Sequence, residues 1–81
     1  MHDSLARISA VGDDLAAAAA RIQSLWEGGR CCPLVGRGLR DRVLEAGRLA
    51  TAGHVSADDA RRVALEAENV ATAFNPLRRM S

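Results

Sequence analysis

Apolar residues recur at alternating spacings of three and four through the first third of the chain. Ile8, Leu15 and Ile22 fall at one position of a seven-residue repeat. A second set lies three residues after each of them: Val11, Ala18 and Leu25. Because this spacing places side chains on one face of an α-helix, the pattern predicts a long helix over about residues 4–27.

A glycine pair and a proline separate this helix from the next. Gly28–Gly29 suit a helix end, and Pro33 suits the first turn of a new helix. We therefore predict a second helix over residues 34–52, although Gly36 and Gly38 weaken its first turns. Its apolar face has five members: Val35, Leu39, Val43, Ala46 and Ala50.

A second clear boundary lies between residues 53 and 59. Gly53 suits the left-handed position after a helix, and Ser56 can cap a new one with Asp59 three residues on. The pattern predicts a third helix over residues 57–74, followed by a short basic tail, 75–81. The predicted apolar face of this helix is Ala60, Val63, Ala67, Val70 and Phe74.

These elements predict an all-α fold in one domain, residues 1–81. The expected architecture is a three-helix up-down-up arrangement, in which a long N-terminal helix packs on an αα-hairpin. The chain has one Phe, one Trp and no Tyr, so its core is built from small side chains. Because so short a chain buries little apolar area, we expect dimerisation to complete a larger helical bundle.

The composition sets expectations about origin and surroundings. The net charge is +1, so no general field draws the chain to nucleic acid or to an anionic membrane. All eleven basic residues are Arg, and with the abundant Ala and Gly this indicates a GC-rich genome, such as that of an actinobacterium or its phage. Without an apolar run of about 20 residues or a secretory leader, we expect a cytoplasmic protein.

The adjacent cysteines, Cys31 and Cys32, are candidate redox residues. A helix start lowers the pKa of a nearby thiol, although a cysteine also packs well as a small apolar side chain. His2 and His54 are the only histidines, and neither forms a metal-ligand spacing with the cysteines. We accordingly expect no metal, no cofactor and no catalytic residues, and hence no enzyme.

The end of the first helix holds the candidate protein interface. Trp26 is the largest apolar side chain, and it can either plug the turn end of the bundle or anchor a contact with another chain. Ile22 and Leu25 precede it, and Arg37 and Arg40 can form the rim. The sequence thus predicts a small, self-associating protein that acts by protein–protein interaction in an accessory or regulatory role.

The alternative function is that of a nucleic-acid-binding regulator. Residues 30–48 contain five Arg against only Asp41 and Glu45. Arginines contribute affinity for phosphates, and amides at a helix start can bind an anion. No motif in this segment identifies a family.

Overall fold

The computed structural model describes the backbone of residues 2–73 and the side chains of residues 10–73. No strand occurs in residues 2–73, and three helices pack together, so the predicted all-α, three-helix class is confirmed. Their bounds lie within two residues of the predicted ones. The helices are α1, His2–Glu27; α2, Pro33–Thr51; and α3, Ala57–Ala73.

Some predictions lie outside the described residues. They concern the side chain of Ile8 in α1, the place of Phe74 at the end of α3, and the tail 75–81. Within residues 2–73, no helix combines the length and the apolar character that crossing a membrane requires.

The turn after α1 is closed by backbone hydrogen bonds around a left-handed glycine. Gly29 has φ = 74°, a conformation that costs a residue with a side chain about 1 kcal/mol or more. The N–H of Arg30 donates to the carbonyl of Leu25 at 2.7 Å, and the N–H of Gly29 donates to that of Trp26 at 3.1 Å. This Schellman pattern satisfies carbonyls at the end of α1 and reverses the chain.

The same pattern ends α2. Gly53 has φ = 83°, and the N–H of His54 donates to the carbonyl of Leu49 at 2.8 Å. Three residues later the predicted cap is present, since the N–H of Asp59 donates to Ser56 Oγ at 3.1 Å. Local chemistry therefore fixes both ends of this loop.

Small side chains build most of the core. In α1, Val11, Leu15, Ala18 and Ile22 are buried, as the predicted stripe requires. Among residues 10–73, the buried apolar residues are Val11, Leu15, Ala18, Ala19, Ile22, Cys31, Val43, Ala46, Ala50, Ala60, Ala64, Ala67 and Ala71. Helices that meet through alanines approach closely, but each alanine removes little apolar area from water.

The buried face of α3 differs from the predicted one. Its buried residues are all alanines: Ala60, Ala64, Ala67 and Ala71. Ala60 and Ala67 are buried as predicted, and Val63 is partly buried against the core, whereas Val70 is 40% exposed, so its predicted place on the apolar face was wrong. The helix is rotated because alanines allow close contact with α1, which leaves the larger valines at the edge next to α2.

Candidate interaction surfaces

The indole of Trp26 lies directly on the backbone of α2 at Gly36. A Cβ built on Gly36 would be 2.6 Å from Trp26 Cε3 and 3.2 Å from Trp26 Cβ. No carbon atom fits at these distances, so the residue opposite Trp26 must lack a side chain. Gly36 is thus a packing position in a regular helix that begins at Pro33, and not the weak start that the sequence predicted.

The guanidinium of Arg40 lies over the indole ring of Trp26. Its guanidinium carbon lies 5.1 Å from the centre of the Trp26 ring, within the range of a cation–π contact. The same group donates to Asp41 Oδ1 at 3.0 Å and to Gln23 Oε1 at 3.4 Å. These contacts fix the arginine, and through it the ring, in one orientation.

Side chains on the surface of α2 form a ridge that leads to the Trp26 ring. Leu34, Arg37 and Arg40 follow one another at spacings of three, so they are neighbours on the surface of α2. Leu34 is 81% exposed, and Arg37 is exposed as well. Together with Trp26, these three residues form a continuous strip that we call the turn-end surface.

The structure separates the residues predicted at an interface. Ile22 is 0% exposed and belongs to the core of the single chain. Leu25 and Trp26 are partly buried and pack against that core. Arg37 and Arg40 stand on the turn-end surface. Trp26 therefore packs at the turn end of the bundle and remains partly exposed, and its role as an anchor for another chain stays a prediction.

Leu34 is the surface residue that the sequence prediction missed. It is preceded by Pro33, and it lies off the apolar face that begins at Val35. A leucine beside, rather than on, a helical stripe points into solvent. That offset was the signal that could have identified it.

The two cysteines have opposite environments. Cys31 is 2% exposed, and burial, followed by the nearby Cys32, raises the pKa of its thiol. Cys32 is exposed at the N-terminus of α2, where the backbone N–H groups of Val35 and then Leu34 lower its thiol pKa. Both thiols are free. Only Cys32 thus combines access to solvent with stabilisation of the thiolate.

A separate apolar groove lies between α1 and α2, with a volume of about 400 Å³. We call it the α1–α2 groove. The two helices nearly touch at its floor, because a Cβ on Gly47 would lie 3.5 Å from Leu15 Cβ. The groove is therefore shallow. Its lining residues are Gly12, Leu15, Ala16, Leu44, Gly47, Arg48, Thr51 and Ala52.

The groove on the other side of α1, next to α3, is crossed by two ion pairs. Arg61 Nη2 lies 3.2 Å from Asp14 Oδ2, and Arg21 Nη2 lies 2.5 Å from Glu68 Oε1. The hydrogen bond to Glu68 raises the pKa of Arg21 further above its usual value. This groove, of about 210 Å³, is therefore bridged, whereas the α1–α2 groove is open at the same level of the bundle.

The part of the chain described here holds no group of three or more His, Cys, Asp or Glu side chains that could bind a metal ion. No protein-family model, curated protein or solved structure matches the chain. The turn-end surface and the α1–α2 groove are thus the features from which a function can be argued.

Proposed function

We propose that this chain is a small non-enzymatic helical protein that binds another protein through the turn-end surface and also associates with itself. Its role would be accessory or regulatory. The observation that supports the proposal is Leu34, which stands 81% exposed beside Arg37. A leucine held in water on a rigid helix gains about 1.5–3 kcal/mol when a partner buries it.

The neighbours of Leu34 suit a protein partner. Trp and Arg are enriched among the side chains that dominate protein interfaces, and Arg37, Arg40 and then Trp26 follow this leucine along the ridge. Trp26 and Arg40 are already fixed by Gly36, Gln23 and each other. A partner would therefore have less side-chain freedom to remove at Trp26 and Arg40 than at the exposed Leu34 and Arg37, which favours affinity at these two positions.

The test is affinity capture from cells of the native host, read by mass spectrometry. Leu34→Ser removes the exposed leucine and leaves the core intact. The matched control is Leu65→Ser, since Leu65 on α3 is 62% exposed and stands away from the turn-end surface. We expect one protein to be captured by the wild type and the control and to be lost with Leu34→Ser. Equal capture by all three chains would refute the proposal.

A second candidate function is binding of nucleic acid by residues 30–48. The observation in its favour is that Arg37 and Arg42 are exposed and form no ion pair with another described residue. Against it, Arg40 is paired with Asp41 and Arg48 with Glu45, so of the five arginines in the segment only Arg30, Arg37 and Arg42 are without an ion pair to a described residue. An exposed leucine also contributes nothing to phosphate binding.

A gel-shift titration distinguishes this candidate from the first. Nucleic-acid binding would weaken steeply between low and moderate salt, because phosphate contacts release counterions. It would also weaken with Arg37→Ser and not with Leu34→Ser. Absence of any shift at low salt would eliminate the nucleic-acid function.

A further inference from the structure

The α1–α2 groove points to a specific form of self-association. We propose that a second copy of this chain closes the groove, in a two-fold dimer whose axis runs parallel to the helices. Each α1 would lie against the partner's α2. The two α1 and two α2 helices would then form a four-helix bundle in which neighbouring helices are antiparallel. This inference rests on the self-association within the proposed function, and it is independent of the turn-end surface.

The groove has the self-complementary shape that a two-fold contact requires, with a projection and a depression on the same patch. Leu44 is the projection, 36% exposed on the α2 side. The depression is the groove itself, which Ala16 lines on the α1 side, and Ala20 is exposed one turn further along α1. Leu15 of α1 faces Gly47 of α2, and Gln23 of α1 accepts a hydrogen bond from Arg40 of α2. Because Leu44 lies between Arg40 and Gly47, it lies at the same height along the bundle as these alanines.

A rotation about an axis parallel to the helices keeps every residue at its level along the bundle. The partner's Leu44 therefore arrives over Ala16 and Ala20, and Leu44 of the first copy reaches the same alanines of the second. A leucine seated between alanines is the large-against-small packing that closely spaced helices use.

The charges at the edges of the groove match the same arrangement. Asp13 is exposed next to Gly12, which lines the groove, and it forms no ion pair with a described residue. Arg48 lines the α2 edge, where it pairs with Glu45 of its own helix. The approach of Gly12 to Thr51 puts Asp13 and Arg48 at a similar level. In the dimer, the partner's Arg48 meets Asp13, and symmetry makes this contact twice.

The opposite groove does not offer an equivalent site. A helix that docked between α1 and α3 would displace the Arg61–Asp14 and Arg21–Glu68 pairs, which already cover that groove. The α1–α2 groove has no such bridge between its edges within the described side chains. The open groove is thus the one that a second copy can enter without breaking an ion pair that joins two helices.

The length of the contact sets the expected strength. Leu44 to Ala52 covers little more than two turns of α2, so the buried area falls at the small end of specific interfaces. We expect a reversible dimer with a dissociation constant in the range of about 1–100 μM, typical of such small contacts.

Sedimentation equilibrium on the full chain tests the dimer. Leu44→Glu puts a carboxylate into the groove and should weaken association by about a hundredfold. The control is Leu65→Glu, an exposed leucine outside the groove, which should leave the dimer unchanged. Asp13→Arg and Arg48→Asp should each weaken it by about tenfold, and the double reversal should restore it. Circular dichroism with urea unfolding establishes that each variant is folded.

A wild type that stays monomeric up to 1 mM, on the order of ten times the weakest expected dissociation constant, would overturn the inference. So would a dimer that Leu44→Glu leaves intact, or one that the double charge reversal fails to restore. The turn-end surface is tested separately. If the chain does not dimerise but still captures a protein through Leu34, only the groove dimer is refuted. If the chain dimerises but captures no protein, only the protein-binding surface is refuted.

Discussion

The indole of Trp26 occupies the space that any side chain on residue 36 would need, with Cε3 only 2.6 Å from the position of a Cβ. Trp26 and Gly36 therefore act as one unit. The pair brings α1 and α2 together at the turn end, and it leaves the outer part of the ring for Arg40 to cover.

Gly36→Ala should lower the free energy of unfolding by about 1–2 kcal/mol, because overpacking costs more than the gain in helix propensity. Gly38→Ala is the matched control, since a Cβ there has nothing within 4 Å. That variant should gain about 0.5–1 kcal/mol. Urea unfolding measures both. In a Trp26→Ala background the cost of Gly36→Ala should disappear, and its persistence would contradict the described contact.

Ser56→Ala should destabilise the chain by about 1 kcal/mol, because the N–H of Asp59 loses the hydroxyl that caps α3. Ser24 is exposed within α1, so Ser24→Ala serves as the control and should change the stability by no more than a few tenths of a kcal/mol. Thermal unfolding of the two variants gives the comparison. Equal melting temperatures would show that the cap contributes nothing.

The thiols should react in two separate phases. Cys32 is exposed and its pKa is lowered, so a thiol reagent should modify one cysteine per folded chain, and at lower pH than a free thiol requires. Cys31 should react only when the chain unfolds, since it is buried. Mass spectrometry of the labelled, digested chain assigns the site. Modification of both cysteines at similar rates in the folded state would be inconsistent with this structure.

Burial of Cys31 should also make the stability fall at alkaline pH. The pKa of Cys31 is raised in the folded chain, because burial disfavours its thiolate. The stabilisation that the neutral thiol gives the folded chain is therefore complete below the pKa of an unfolded thiol, and it is lost as the pH rises through the folded pKa. Cys32 has the opposite shift, and Cys32→Ser removes it from the comparison. In that background, Cys31→Ala should flatten the decline in unfolding free energy above about pH 8.5. An unchanged slope would contradict the assignment.

The sequence pattern was informative where one face of a helix is much more apolar than the other. The stripe of α1 through Val11, Leu15 and Ile22 is buried as predicted, and Ser56 caps α3. The pattern failed where the choice lay between residues of similar hydrophobicity. Alanines and valines both fit the face of α3, and only the close approach of α1 decides in favour of the alanines.

The role of Gly36 could not be predicted from its own neighbours. A glycine near the start of a helix normally weakens it, and the reason for this one lies ten residues earlier in the chain, at Trp26. The residues predicted at the interface also separated into core and surface positions. Ile22 completes the core, whereas Leu34, which belongs to no stripe, is the most exposed of the large apolar side chains described.

Photo-crosslinking in cells of the native host tests the proposal that the turn-end surface binds another protein. A photoreactive phenylalanine derivative replaces Leu34 in one chain and the control residue Leu65 in another. We expect a crosslinked protein adduct from position 34 and not from position 65. An adduct from both positions alike, from neither, or with nucleic acid in place of protein would contradict it.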